Sequence, residues 1–406
     1  MSAWLAVVGL GEDGPAALAP IARALVASAE TLIGGKRHLA LVPEGRAERL
    51  LWRSPIEASI ADIAARRARR VVVLASGDPM CYGVGAMLAR AFAPDEMIVL
   101  PAPGAFALAA SRLKWPLESC VALSLHGRPL ESLHLHLAPG ARLLALSTDG
   151  DTPRRAAALL RAAGWDPSAL TVLEHMGGPR EGRRDGTAAD WGEARVADLN
   201  LLAIECRPGP GAIIRSRLAG LPDDAFDHDG QVTKREVRAA TLASLAPLPG
   251  ELLWDIGAGC GSVAIEWLRA GQAMRVIAVE RDPARVALIA RNAAALGVPD
   301  LEMREGSAPA AFADLPRPDA VFWGGGLSDG EIFAEAWHAL RPGGRLVANA
   351  VTLEGEAQLL RIAARHGGDL TRIAVARADA LGGYRAFRPL LTVTQLALRK
   401  DRDVAP

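Results

Sequence analysis

Short apolar runs separated by stretches of helical period recur along the whole chain, at residues 4–8, 71–75, 143–146, 201–204, 252–256, 276–279, 320–323 and 346–348. Runs of this length, bounded by glycine and proline, read as buried strands, and strands alternating with amphipathic helices build parallel sheets. The pattern predicts an α/β protein with mostly parallel sheets. It breaks in RPGPGAIIRSRLAGLPDDAFDHD at residues 207–229, where proline, glycine and acids replace the alternation, and a new strand-helix series follows. Two domains are expected, residues 1–206 and 223–406, joined by a linker at 207–222. Each series opens on its own glycine loop, VVGLGEDG at 7–14 and DIGAGCG at 255–261, in unlike surroundings, so the domains are a fusion and not a repeat.

The chain has 406 residues, half of them hydrophobic, enough for two full cores. Lys plus Arg and Asp plus Glu each number 46, so no global field draws the protein to nucleic acid or to an anionic membrane. An acidic ligand must be met by local cations. No apolar run approaches the roughly 20 residues of a membrane span. The opening MSAWLAVVGLGEDG lacks a basic region and turns glycine-rich early, which reads as a first strand and not a signal peptide. Cys81, Cys120, Cys206 and Cys260 are scattered without metal-ligand spacing, which fits reduced thiols in a cytoplasmic protein. RRARR at 66–70 reads as a solvated helix end. His134 and His136 form an H-x-H with no third ligand near in sequence, so no metal is expected.

A dinucleotide-binding loop wants G-x-G-x-x-G, yet Gly257, Gly259 and Gly261 give G-x-G-x-G, with Ser262 where the third glycine belongs. Asp255, two residues before the first glycine, would repel a pyrophosphate and welcome a cation. The following strand ends in Glu280, nineteen residues past Gly261 and placed to accept hydrogen bonds from both hydroxyls of a ribose. An acid, a glycine loop and a second acid closing the next strand resemble S-adenosylmethionine recognition in class I (Rossmann-like) methyltransferases. EGSAP at 305–309 then falls where that fold meets the adenine, and FWGGG at 322–326 closes the fourth strand.

QVTKREVRA at 231–239, followed by DIGAGCGSVAIEW, AVERDP, PDAVFWGGG and LRPGGRLVANAVTLE, is similar to the decarboxylating precorrin methyltransferases of cobalamin biosynthesis, over residues 229–400. The resemblance implies that Thr233, Gly257, Ala258, Gly259, Cys260, Gly261, Glu280 and Ala308 border the cofactor. Cys260 stands where threonine is commoner, and its small side chain still fits. In the first half, ASGDPMCYGVGAML at 75–88, SLHGRP at 124–129 and RRDGTAADWGEARVADLNLLAIE at 183–205 occur in the order of the tetrapyrrole methylases, whose unrelated fold also binds S-adenosylmethionine. That resemblance spans residues 4–206. It implies Gly77 and Asp78 at the cofactor's amino-acid end and the turn from Gly9 to Gly11 facing a tetrapyrrole trough; His126 is either solvated or faces the substrate.

A tetrapyrrole-methylase domain followed by a class I domain implies two S-adenosylmethionine sites per chain, methyl transfer to meso carbons 5 and 15 of a reduced corrin precursor, and loss of carbon dioxide from the ring-C acetate. No catalytic group is assigned, because an enamine-like meso carbon is already nucleophilic and in-line positioning is the chief requirement. The substrate's carboxylates call for cations. Lys234, Arg235 and Arg238 beside Thr233, and Arg377, Arg385 and Arg388 around the loop ADALGGYRAFRP, are the candidates. A homo-oligomer is expected, with no nucleic-acid or membrane partner. Two alternatives stay open: a class I methyltransferase acting on RNA or another metabolite, and a tetrapyrrole carrier without turnover.

Overall fold

The structure, a computed structural model, describes residues 3–193 and 195–401; the outer ends of the two expected domains, residues 1–2 and 402–406, lie outside the described residues. The chain divides into two compact units, one of residues 1–130 and 138–213, the other of residues 131–137 and 214–406.

In the first unit, β1 (Leu5–Leu10), β2 (Thr31–Gly34), β3 (Glu48–Leu51), β4 (Val71–Ser76) and β5 (Met97–Leu100) form a parallel sheet in the order β3-β2-β4-β1-β5. All six residues of β1 are buried, as a strand covered on both faces requires. Ala6, Val8 and Leu10 enter one core with Val72 and Leu74, while Leu5 and Val7 enter another with Val71 and Val73, so one unbroken apolar run feeds two cores through its period of two. A second sheet joins β6 (Cys120–Ser124), β7 (Arg142–Leu146), β8 (Ala169–Glu174), β9 (Gly182–Thr187) and β10 (Asn200–Glu205) in the order β6-β7-β10-β8-β9. Only β6 and β7 run parallel there, a departure from the expected parallel pattern. The cause is local: β8 and β9 are joined by a short connection, which permits only an antiparallel partner. The run RRARR is spent on carboxylates, with Arg66 on Glu48 at 2.6 Å and Arg67 on Glu96 at 2.9 Å.

In the second unit, β11 (Leu252–Ile256), β12 (Arg275–Glu280), β13 (Glu302–Glu305), β14 (Ala320–Trp323), β15 (Arg345–Ala350), β16 (Asp369–Ile373) and β19 (Val393–Arg399) form a sheet in the order β13-β12-β11-β14-β15-β19-β16. The five strands from β13 to β15 in that order are parallel, and β19 runs antiparallel to both of its neighbours, β15 and β16. Period two again divides the runs: Leu253, Val276, Ala278 and Val347 pack on one face, and Trp254, Ile277, Val279, Val321 and Trp323 on the other. The segment expected as a loop, ADALGGYRAFRP, is instead the hairpin β17 (Ala376–Leu381) and β18 (Tyr384–Pro389), turning at Gly382 and Gly383. Of the large side chains, Trp165 and Trp191 are fully buried in the first unit and Trp254, Trp267 and Trp323 in the second.

The expected linker is not a free connector. The Arg207 and Gly209 amides donate to Ser168 Oγ at 3.0 Å and to the Gly164 carbonyl at 2.9 Å, which binds this stretch to the first unit. Beyond the crossing at residues 213–214, Arg269 donates to the Ser216 carbonyl at 2.9 Å and Leu221 is buried in the second core.

A buried charge organises that second unit. Arg238, on the helix Arg235–Leu245, has no exposed surface. Its Nε donates to Glu266 Oε1 at 2.7 Å, its two terminal nitrogens donate to the carbonyls of Thr233 and Leu221, and Phe226 lies under the guanidinium with its ring centre 4.6 Å away. Glu266, on the helix Ser262–Ala270, also accepts the amides of Gly220 and Leu221 at 2.7 and 2.8 Å. Asp255, at the end of β11, is also fully buried; its Oδ2 accepts the Ala264 amide at 3.0 Å, and its Oδ1 has no partner among the described residues. Burial pushes this carboxyl up to about 7 from 3.8, with nearby Glu280 adding to the rise against the Ala264 hydrogen bond.

Two consequences can be measured. Glu266→Ala strands a buried guanidinium and should lower the stability of the second unit by about 3–5 kcal/mol in urea unfolding; a loss below about 1 kcal/mol would contradict the role given to the pair. Because the Asp255 carboxyl is raised in the folded state, its contribution is fully present below about pH 3.8, declines as pH climbs towards about 7 and is lost above that. Asp255→Asn keeps an acceptor for Ala264, so its stability advantage over the parent should grow from pH 4 to 7, by roughly 1.4 kcal/mol for each pH unit climbed. Parallel stability-pH curves for the two proteins would refute this.

Candidate active site

The strand order of the second unit reverses between β11 and β14, and at the carboxyl ends of these strands lies a cavity of about 730 Å³. Gly257, Ala258, Gly259 and Cys260 line it after β11, Glu280 at the end of β12, Ser307 and Ala308 after β13, and Gly324, Gly325 and Gly326 after β14. Gly257 has φ of 71°, and a Cβ there would stand 2.8 Å from Gly325 Cα. The two loops therefore meet through bare backbone, leaving room for a ligand to approach the main chain. Thr233 and Lys234 complete the wall from the segment that Arg238 anchors.

Glu280 is nearly buried and already oriented. Its Oε2 accepts the Gly259 amide at 2.8 Å, and its Oε1 accepts those of Arg281 and Asp282 at 2.9 and 3.1 Å. A carboxylate offers about four lone-pair positions, so three are spent and one is left for a ligand hydroxyl. This narrows the expectation of two ribose hydrogen bonds. Gly261 turns with φ of 78° into the helix Ser262–Ala270, between the lining residues Cys260 and Ser262, with Ile289 against it. Asp255 does not line the cavity as expected; it lies beneath the loop, holding the start of that helix.

The cavity has two chemically distinct ends. Towards β12 it carries Glu280, Arg281 and Arg285, with Arg285 already bound to Asp229 at 2.9 Å. Towards β15 and β19 it is walled by Val351, Val375, Leu390, Leu391 and Val393, with the Asn349 side chain among them. Asn349 gave no signal beyond being a polar residue in the apolar strand sequence RLVANA.

The expected cation cluster is only partly assembled. Lys234 lines the cavity. Arg238 does not face it, because its donors are consumed internally. Arg235 is exposed at the start of its helix, with its amide on Asp223 Oδ1 at 2.8 Å. Arg377 bridges Asp223 at 2.8 Å and Glu236 at 2.6 Å, tying the hairpin down, and Arg388 sits 3.4 Å from Asp379. Arg385 is exposed on β18. None of these three hairpin arginines reaches the wall.

In the first unit, Gly9 is buried in β1, and a Cβ on it would fall on the Gly77 carbonyl oxygen. It serves the close approach of the two loops. Gly11 is only partly exposed beside Asp13. Asp78 Oδ1 accepts the Met80 amide at 2.9 Å, shaping the turn after β4. His126 is exposed just after β6. No motif in the sequence pointed to a cluster at the carboxyl ends of β1, β2 and β4. There Arg37 pairs with Glu12 and donates to Ser76 Oγ at 2.8 Å, and His38 Nε2 is 2.9 Å from the same hydroxyl. Burial, and then the Arg37 charge, press the His38 imidazole down to about 4, so it is neutral at ordinary pH.

Two family models cover most of the chain: Tetrapyrrole (Corrin/Porphyrin) Methylases matches residues 5–191, and Precorrin methyltransferase domain matches residues 224–400. A precorrin-6Y C(5,15)-methyltransferase [decarboxylating] from a Sinorhizobium species is 50% identical over 403 residues, 98% of this chain and 97% of that protein. A probable cobalt-precorrin-6B C(15)-methyltransferase (decarboxylating) from Pyrobaculum aerophilum is 35% identical over 42% of this chain and 91% of its own length. A cobalt-precorrin-7 C(5)-methyltransferase from Salmonella typhimurium is 34% identical over 42% of this chain and 85% of its own length. With one relative aligned across both units at half identity, the chain belongs to the family of decarboxylating precorrin-6Y C(5,15)-methyltransferases.

Proposed function

We propose that this chain methylates carbons 5 and 15 of precorrin-6B (precorrin-6Y), with release of the ring-C acetate carboxyl as carbon dioxide, giving precorrin-8 in cobalamin biosynthesis. The observation that carries this reading is the end-to-end relationship to a protein of that name, which accounts for both units together. Relatives in which the C(15) decarboxylating and C(5) activities bear separate names each match 42% of this chain, which supports one reaction per unit. We assign methylation at carbon 15 and decarboxylation to the second unit, and methylation at carbon 5 to the first.

The second unit's cavity fits S-adenosylmethionine. Its glycine floor admits the backbone approach, and Glu280 holds one acceptor position ready. When bound, this cofactor supplies an electrophilic methyl group on a sulfonium. The protein's part is to bring the meso carbon in line at about 3–3.5 Å and exclude water. Lys234 and Arg281 offer charge to carboxylates that the product keeps. The apolar end suits the carboxylate that is lost, since contact with half-buried Val375 and Leu390 and buried Val393 disfavours its charge. In the first unit, Gly77 and Asp78 would border a second cofactor molecule, with Ser76, Arg37 and His38 next to it.

The same reading places the enzyme in the cytoplasm as a homo-oligomer. No helix among the described residues is long and apolar enough to cross a membrane. Tyr384 and Phe387 on the hairpin are 84% and 76% exposed, an apolar surface that suits a second copy of the chain.

Calorimetric titration with S-adenosylmethionine should give two sites per chain. Glu280→Ala should weaken one of them by about 1.5–3 kcal/mol, the worth of hydrogen bonds to a charged acceptor, and leave the other unchanged. A single site in the parent protein would remove the first unit's assigned cofactor. Incubation with precorrin-6B should yield a product heavier by two methyl groups and lighter by one carbon dioxide; binding without turnover would restore the carrier alternative.

A further inference from the structure

The apolar end of the second unit's cavity contains one polar side chain whose orientation is fully determined. The Thr241 hydroxyl donates to the Val237 carbonyl at 2.8 Å, so its oxygen can only accept from Asn349 Nδ2 at 2.8 Å and Gln395 Nε2 at 3.2 Å. Gln395 Nε2 also donates to Asn349 Oδ1 at 2.9 Å, and its Oε1 accepts from Ser244 at 2.9 Å. Thr241 and Gln395 are buried, and neither lines the cavity. The network thus fixes which way the Asn349 amide faces and leaves it one N–H and one lone pair. Three strand spacings separate β12 from β15, which puts Asn349 about 14 Å from the Glu280 end. The nearest wall cation along the sequence of that helix, Lys234, precedes Thr241 by seven residues, about 10 Å up the helix.

We propose that Asn349 is the positioning residue for decarboxylation, its remaining Nδ2–H holding the departing acetate carboxylate against the apolar wall. The proposal rests on the function assigned above. A carboxylate is ordinarily gripped by arginine, but two charged hydrogen bonds would stabilise the very charge that must vanish. A single neutral donor on a rigid mount orients the group and stabilises it least. Once carbon 15 has gained a methyl group as a cation equivalent, the conjugated ring carries one positive charge. The bond between the acetate methylene and its carboxyl then breaks, its electron pair neutralises the ring, and neutral carbon dioxide leaves. No oxidant, reductant or external proton is needed.

The test uses the full chain with S-adenosylmethionine and precorrin-6B, reading carbon dioxide released per methyl transferred at carbon 15 by mass spectrometry. In Asn349→Leu this ratio should fall about tenfold, because the carboxylate is no longer held with its breaking bond aligned to the conjugated ring, while S-adenosylmethionine affinity is kept. Asn349→Asp, which preserves shape and the acceptor for Gln395, should uncouple the steps as well, and it serves if the leucine variant does not fold. A ratio that stays at the parent value in a folded variant, even with slower turnover, overturns the proposal. A parent protein that adds two methyl groups and releases no carbon dioxide would instead overturn the function on which it rests.

Discussion

Arg238 is where the second unit's architecture is decided. A guanidinium without exposed surface is tolerated only when its donors find acceptors. Here they come from the helix Ser262–Ala270 through Glu266, and from the chain before Arg238 through Leu221 and Thr233. Satisfying one charge therefore fixes the stretch from Gly220 to Lys234 against the core. Thr233 and Lys234 become cavity wall only because that stretch is held. Arg377, reaching Asp223 and Glu236, then ties the hairpin to the same stretch.

From this follows a cavity whose two ends answer opposite demands. Near β12, backbone amides are gathered on Glu280 and cations are available; near β15 and β19, aliphatic side chains and the neutral amide of Asn349 line the wall. A substrate that keeps most of its carboxylates and loses one needs both environments within a single reach. The parallel sheet supplies the separation, since each strand step moves the wall about 4.8 Å.

Much of this was legible in the sequence. Residues 252–256 and 276–279 fall within strands, and Gly257, Gly259, Glu280 and Ala308 line one cavity, because strand ends and tight turns are local properties of the chain. What was not legible depends on partners distant in sequence. Arg238 looks like a ligand cation until Glu266, 28 residues later, is seen to hold it. Asp255 has the right spacing for a cofactor contact, yet the helix that follows turns its side chain under the loop. Asn349 could have been suspected from its place in an apolar strand, but its mount comes from Thr241 and Gln395, one before and one after it by many residues. In the first unit, Gly9 reads as a ligand turn because only the fold reveals Gly77 on top of it.

The fully buried tryptophans give the molecule an unplanned optical property. Trp165 and Trp191 sit in the first unit, Trp254, Trp267 and Trp323 in the second, and the whole chain has only two tyrosines to compete with them. Indole emission responds to the local electric field, and Trp323 directly precedes Gly324 of the cavity wall. A cationic ligand entering there alters the field at an indole whose Nε1 has no partner among the described residues. Each unit thus carries its own intrinsic chromophores, whose emissions add in the untouched protein, and Trp323 is the buried indole placed to report on the cavity.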